Sequence, residues 1–161
     1  MLRPEFLRRK LQLITDDLGH LDRYRDVTHE ALVGDFVALA TVERLLERIV
    51  MRAIDVNQHI IVQAAGEEIP ERTTRLTYRD SFLLLAERGV YPETFAETIA
   101  ASAGLRNTLV HDYNDTDRRL VHASIHACLD QYPRYVRYLL DFLDSADADG
   151  CAGRGSSSGA P

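Results

Sequence analysis

The sequence predicts an all-α, up-and-down bundle of about five helices, and three observations carry that expectation. Apolar residues recur every three to four positions in five separate stretches, the spacing of helices with one buried face. No run alternates apolar and polar residues with the period of a strand, and no Asn-Gly or Asp-Gly pair joins two such runs as a hairpin. The chain of 161 residues is the size of one domain with one sizeable core.

Taken in order, "EFLRRKLQLITDDLGHLDRY" repeats Phe6, Leu7, Leu11, Ile14, Leu18 and Leu21 on one face, with Pro4 placed for the first turn. The longest periodic run, "DFVALATVERLLERIVMRAIDVNQHIIVQAAG", carries Phe36, Leu39, Val42, Leu45, Leu46, Ile49, Val50 and Ile60, with Gly66 as a stop. A helix of about 30 residues is roughly 45 Å long, the length of a bundle spine. "EEIPERTTRL" is polar and proline-containing, hence a loop. "TYRDSFLLLAERG" predicts a short third helix ending at Gly89, and "YPETFAETIAASAGLRNTLVHDY" a fourth, with Pro92 near its start. "NDTDRRLVHASIHACLDQYPRYVRYLLDFLDSA" predicts the fifth, with "NDTD" as N-cap and a kink at Pro133. The helical domain is expected to span residues 1–145. Residues 146–161, "ADADGCAGRGSSSGAP", bury too little apolar surface to order themselves and are expected to form a flexible tail.

A formal charge of −6 argues against a broadly basic nucleic-acid coat, but a local positive cleft depends on how charge is distributed. Lys10 is the one lysine among 19 basic residues. Cys128 and Cys151 are too few and too far apart for a disulfide framework or a zinc knuckle. The N-terminus has charges throughout and no signal-peptide core, and no run reaches the roughly 18 apolar residues of a membrane span. A cytoplasmic protein without membrane contact is the expectation.

Chemistry concentrates in "RNTLVHDY". Arg106 suits bidentate binding of a phosphate, Asn107 can add a hydrogen bond, and His111 can exchange a proton near neutral pH. That set fits phosphodiester cleavage. Five positions along a straight helix rotate a side chain by about 140°, so the helix must end near Val110, or a twofold pair must complete the cleft. The same residues also fit a structural role, with Arg106 near a helix C-terminus and His111 and Tyr113 bonding between helices.

"AGLRNTLVHDYNDTD", with "TYRDSFLLLAERGV" and "TVERLLERIVMRAIDVNQHII" before it, resembles the HepT family of toxins within the HEPN superfamily of small helical proteins. The likeness runs to about residue 144. It implies a metal-independent endoribonuclease toxin, with Arg106, Asn107 and His111 as its catalytic set and no cofactor. It also implies a homodimer that faces both motifs into one cleft and cuts RNA by 2′-hydroxyl attack to a 2′,3′-cyclic phosphate. Its partner would be an MntA-like nucleotidyltransferase antitoxin that transfers AMP to Tyr113, the tyrosine two positions past the histidine. A phosphate there puts negative charge beside Arg106 and fills the RNA site. A non-catalytic helical partner of a minimal nucleotidyltransferase is the alternative.

Three further features are weaker. Asp55 is a candidate for supporting Arg106 or His111 from the second helix. His122 and His126 have helical metal-ligand spacing but no supporting frame, so no metal is expected. Tyr135 and Tyr138, interleaved with Arg134 and Arg137, fit helix packing better than RNA stacking.

Overall fold

A computed structural model describes residues 3–64, 77–110 and 115–152, with the backbone alone at Asn107, Val110, 115–117 and 149–152. The expected all-α architecture is present, and no strand occurs among the described residues. The elements are α1 (Pro4–Leu21), a single 3-10 turn (Asp22–Tyr24), α2 (His29–Gly34), α3 (Phe36–Ala64), α4 (Tyr78–Glu87), α5 (Glu93–Ala100), α6 (Ala103–Val110) and α7 (Asp115–Ala152). No helix among the described residues is long and apolar enough to cross a membrane.

The first predicted helix is α1, begun by Pro4, whose missing N–H costs nothing in a first turn. Leu7, Leu11, Ile14, Leu18 and Leu21 bury its inner face. The 29-residue α3 is the expected spine, packed against α1, α4, α6 and α7. Its start is fixed by Asp35, whose Oδ1 accepts the N–H of Ala38 at 3.0 Å. Phe36, expected in the apolar stripe, is instead exposed at the first position of α3. The expected loop of residues 67–76 and the expected stop at Gly66 lie outside the described residues.

Sequence chemistry sets both ends of α4. Thr77 and Asp80 form a reciprocal capping box, each side chain bonding the other's backbone N–H, at 3.0 and 3.1 Å. At the far end Gly89 takes φ +74°, its N–H reaching Ala86 O at 2.9 Å and that of Val90 reaching Leu85 O at 3.0 Å. This left-handed exit satisfies two end carbonyls and tucks Val90 into the core.

One expectation needs correction. The fourth predicted helix is two, α5 and α6, broken at Ala101 and Ser102. Ser102 Oγ donates to Ile99 O at 2.6 Å and meets Tyr132 Oη at 2.8 Å, a side-chain competitor for the backbone ladder that re-aims the chain. Helix α7 continues to Ala152, where Arg8 of α1 bonds Asp144 at 2.8 Å and Asp147 at 3.0 Å. Alanines 146 and 148 favour that continuation. Residues 153–161 of the expected tail lie outside the described residues. Pro133 lies inside α7, near Tyr132 and Tyr135, both fully buried.

The core joins these aliphatic faces to an aromatic cluster of Phe82, Tyr91, Phe95, Tyr132, Tyr135 and Tyr138, with ring centroids 5.1 to 6.3 Å apart. Tyr135 and Tyr138 are therefore packing residues, as their helical spacing favoured. Buried Asp17 of α1 pairs with Arg52 and, at 3.1 Å, with Arg48, both on α3, tying the two longest-packed helices together. The charge is tolerated inside because two guanidinium groups and their donors compensate it.

Candidate active site

The short helix α6 exists to hold its residues between α3 and α4. Ala103 and Leu105 are buried and Leu109 packs against the core, which leaves Arg106 at the edge of that buried strip. Its guanidinium carbon lies 5.1 Å from the centre of the Tyr78 ring, on the first turn of α4. Its Nε is buried and has no hydrogen-bond partner among the described residues. This is unlike the other arginines that join helices: Arg8, Arg48 and Arg52 all meet carboxylates. Among the described residues, Arg106 thus carries a positive charge whose donors are not committed to an acidic partner.

Beside it, the start of α4 and the α5–α6 turn enclose a groove of about 520 Å³ lined by Tyr78, Arg79, Ala100, Ala101, Ala103 and Gly104. Small residues on the α5–α6 side keep it open. Arg79 lines the same groove, and Tyr78, whose ring carries the Arg106 guanidinium, forms its aromatic wall. An arginine and an aromatic wall in a shallow groove suit an anionic, partly planar ligand.

Of the other motif residues, Asn107 follows Arg106 on the α6 backbone. His111 and Tyr113 lie outside the described residues. The expected end of the helix near Val110 turns on residues 111–114, which lie outside the described residues.

Asp55, a candidate for supporting Arg106 or His111, has an Oδ2 that accepts from Lys10 Nζ of α1 at 2.9 Å. This ion pair couples α1 to α3. His122 Nε2 lies 2.6 Å from Val27 O and its ring meets His29 edge-on at 5.9 Å, while His126 is exposed. Those contacts anchor α7 to the chain entering α2. No group of three or more metal-ligating side chains occurs among the described residues.

Sequence reasoning missed Tyr78. Thr77-x-x-Asp80 is a readable capping box that makes Tyr78 the first helical residue, but nothing local says which helix its ring faces.

With this geometry in view, the likeness to known proteins is specific. A curated relative from Aphanizomenon flos-aquae, the tRNA nuclease HepT, is 32% identical over 142 residues, covering 88% of this chain and 92% of the relative. The mRNA nuclease HepT of Shewanella oneidensis is 28% identical over 102 residues, covering 63% of this chain and 72% of its own. Among solved structures, a toxin–antitoxin complex with AMP-PNP shares the fold at a TM-score of 0.71 and 23% identity, covering 85% of this chain and 98% of the other. The tri-AMPylated Shewanella oneidensis HEPN toxin in complex with MNT antitoxin gives 0.69 at 24% identity, with coverages of 84% and 96%. The ribonuclease HepT-like family matches residues 14–139, from within α1 to well along α7. That match takes in most of the chain, α6 and Arg106 included, and the chain belongs to the ribonuclease HepT-like family.

Proposed function

We propose that this protein is an endoribonuclease toxin whose Arg106, Asn107 and His111 cut RNA, and that a nucleotidyltransferase antitoxin silences it by adenylylating Tyr113. The observation that carries the reading is the guanidinium of Arg106 on α6, half-buried, without an acidic partner among the described residues, and resting on the Tyr78 ring of the neighbouring α4. A purely structural arginine at such a helix junction would be expected to meet a carboxylate or a helix-end carbonyl, as Arg52 does.

The chemistry needs a charge clamp and a proton carrier. Arg106 binds the scissile phosphate through paired N–H donors and balances the charge that builds on its oxygens. The 2′-hydroxyl oxygen attacks the phosphorus, an O2′–P bond forms, and the P–O5′ bond breaks. The products are a 2′,3′-cyclic phosphate and a 5′-hydroxyl. One proton leaves O2′ and one arrives at O5′, and an imidazole that titrates near pH 6.5 is suited to either transfer. In a twofold homodimer the two His111 rings divide these tasks across one cleft, so no metal ion is required. Asn107 adds a donor to the phosphate.

Adenylylation closes the same cleft. The Tyr113 phenol oxygen attacks the α-phosphorus of ATP, pyrophosphate leaves, and the phenolic proton passes to solvent. The attached phosphate carries negative charge next to Arg106, and the adenosine occupies the RNA path. The relatives named as tRNA and mRNA nucleases, and the AMPylated toxin that shares the fold, support this reading.

The test is induction of the parent, Arg106→Ala and His111→Ala proteins in cells, followed by sequencing of RNA ends. The parent is expected to arrest growth and generate 5′-hydroxyl ends at defined sites, and both variants to do neither while keeping the parent's helical content. Cleavage at parental rates by either variant removes that residue from the catalytic set.

A further inference from the structure

We infer that Tyr78 is a positioning residue for Arg106: its ring is the shelf that sets the guanidinium for phosphate binding. The inference rests on the reading of Arg106 as the phosphate clamp and extends it to a residue on another helix. The ring lies under the Arg106 guanidinium carbon at 5.1 Å. An aromatic face attracts a cation without being a hydrogen-bond acceptor of the usual strength, so it holds the group while leaving its N–H fork for an anion. A carboxylate in the same place would compete with phosphate for that fork.

The shelf is itself rigidly mounted. Tyr78 is the first helical residue after the Thr77–Asp80 capping box. Its carbonyl accepts from Ser81 Oγ at 2.7 Å, Asn57 Nδ2 of α3 donates to that same Oγ at 3.2 Å, and Asn57 Oδ1 accepts from Tyr135 Oη of α7 at 2.7 Å. Asn57, Ser81 and Tyr135 are all buried. Three helices therefore converge on the backbone that carries this ring. A buried polar chain of that kind fixes register in a core that is otherwise apolar. Arginine has four flexible side-chain torsions, and a fixed surface beneath its head group reduces the freedom lost when phosphate binds.

The experiment uses the full chain and an RNA oligonucleotide with 2′-deoxy sugars, which binds but cannot be cut. Its affinity is measured for the parent, Tyr78→Phe, Tyr78→Leu, Arg106→Ala and the Tyr78→Leu/Arg106→Ala double variant. Loss of the ring is expected to weaken binding roughly 3- to 30-fold, the range of a cation–π contact, while phenylalanine retains parental affinity. In the Arg106→Ala background the leucine change is expected to add nothing, because the ring acts through the arginine. The Nε–H resonance of Arg106 reports the contact without activity: ring-shifted in the parent and Tyr78→Phe, and displaced in Tyr78→Leu. Where leucine lowers the melting temperature, Tyr78→Met repeats the cycle with a side chain of similar reach and no ring. Equal losses in both backgrounds, or an Nε–H unmoved by removal of the ring, overturn the positioning role alone. An Arg106→Ala protein that binds the oligonucleotide like the parent sinks the phosphate-clamp reading itself, and this inference with it.

Discussion

Tyr135 of α7 donates its phenolic hydrogen to Oδ1 of Asn57 on α3 across 2.7 Å, with Ala53 O a further 3.2 Å contact, in a region closed to solvent. This pairing is the one place where the spine and the longest helix recognise each other by hydrogen bonding between buried side chains among the described residues.

Tyr135→Phe keeps the ring stack on Phe82 and removes only the donor. Asn57 Oδ1 is then buried without it, which costs about 1–3 kcal/mol. Urea unfolding should show a lower midpoint with an unchanged slope. A change below about 0.3 kcal/mol would mean that water replaces the phenol and that the pair does not hold the helices. The mounting of Tyr78 described above would then lose its α7 end.

The buried phenols also predict an alkaline limit to stability. Burial pushes the Tyr91, Tyr132 and Tyr135 hydroxyls well above the ordinary tyrosine value. In the unfolded chain these groups lose their protons near pH 10, whereas in the folded chain they keep them. Above that pH the unfolded state therefore binds fewer protons than the folded one, and stability falls as pH rises. Below it the contribution is fully present. The expected observation is that part of the tyrosinate absorbance appears in step with loss of helical circular dichroism above pH 10. Gradual ionisation of all seven tyrosines with the helix signal intact would contradict the burial of these three.

The periodic apolar faces made α1 and α3 legible from sequence, because one buried stripe dictates a helix regardless of what covers it. Gly89 was an equally local signal and ends α4 where expected, and the Thr77–Asp80 capping box at its start is as local. What escaped was decided at long range. The α5–α6 break depends on Ser102 meeting Tyr132, thirty residues away in sequence. Asp55 has Lys10 as its partner only because α1 lies along that side of α3. The extra two turns of α7 are held by Arg8 at the other end of the chain. At the site, Arg106 was readable from its motif, but the ring beneath it was not, since the capping box fixes where Tyr78 sits on α4 and not what α6 brings to it.

Tyr113 is where the proposed switch is most sharply testable. If the phenol accepts AMP, incubation of the full chain with ATP, magnesium and a nucleotidyltransferase antitoxin should add the mass of one or more AMP groups, and peptide mapping should place them on that residue. Tyr113→Phe removes the nucleophilic oxygen but keeps the ring, so it should take up no AMP. As an RNase it should stay within about threefold of the parent, since the tyrosine is a brake and not part of the cutting set. Two effects of the modification separate by charge and bulk. A Tyr113→Glu protein carries one negative charge near Arg106 without the adenosine, and it should lose part of the parental RNA affinity with a shallower dependence on salt, as expected when one phosphate contact is neutralised. Full activity of the adenylylated protein would show that the charge and the nucleoside both miss the cleft. A parent neutralised by the antitoxin with Tyr113 unmodified would place the inhibition in the protein–protein contact, and the phenylalanine variant would then be silenced as readily as the parent.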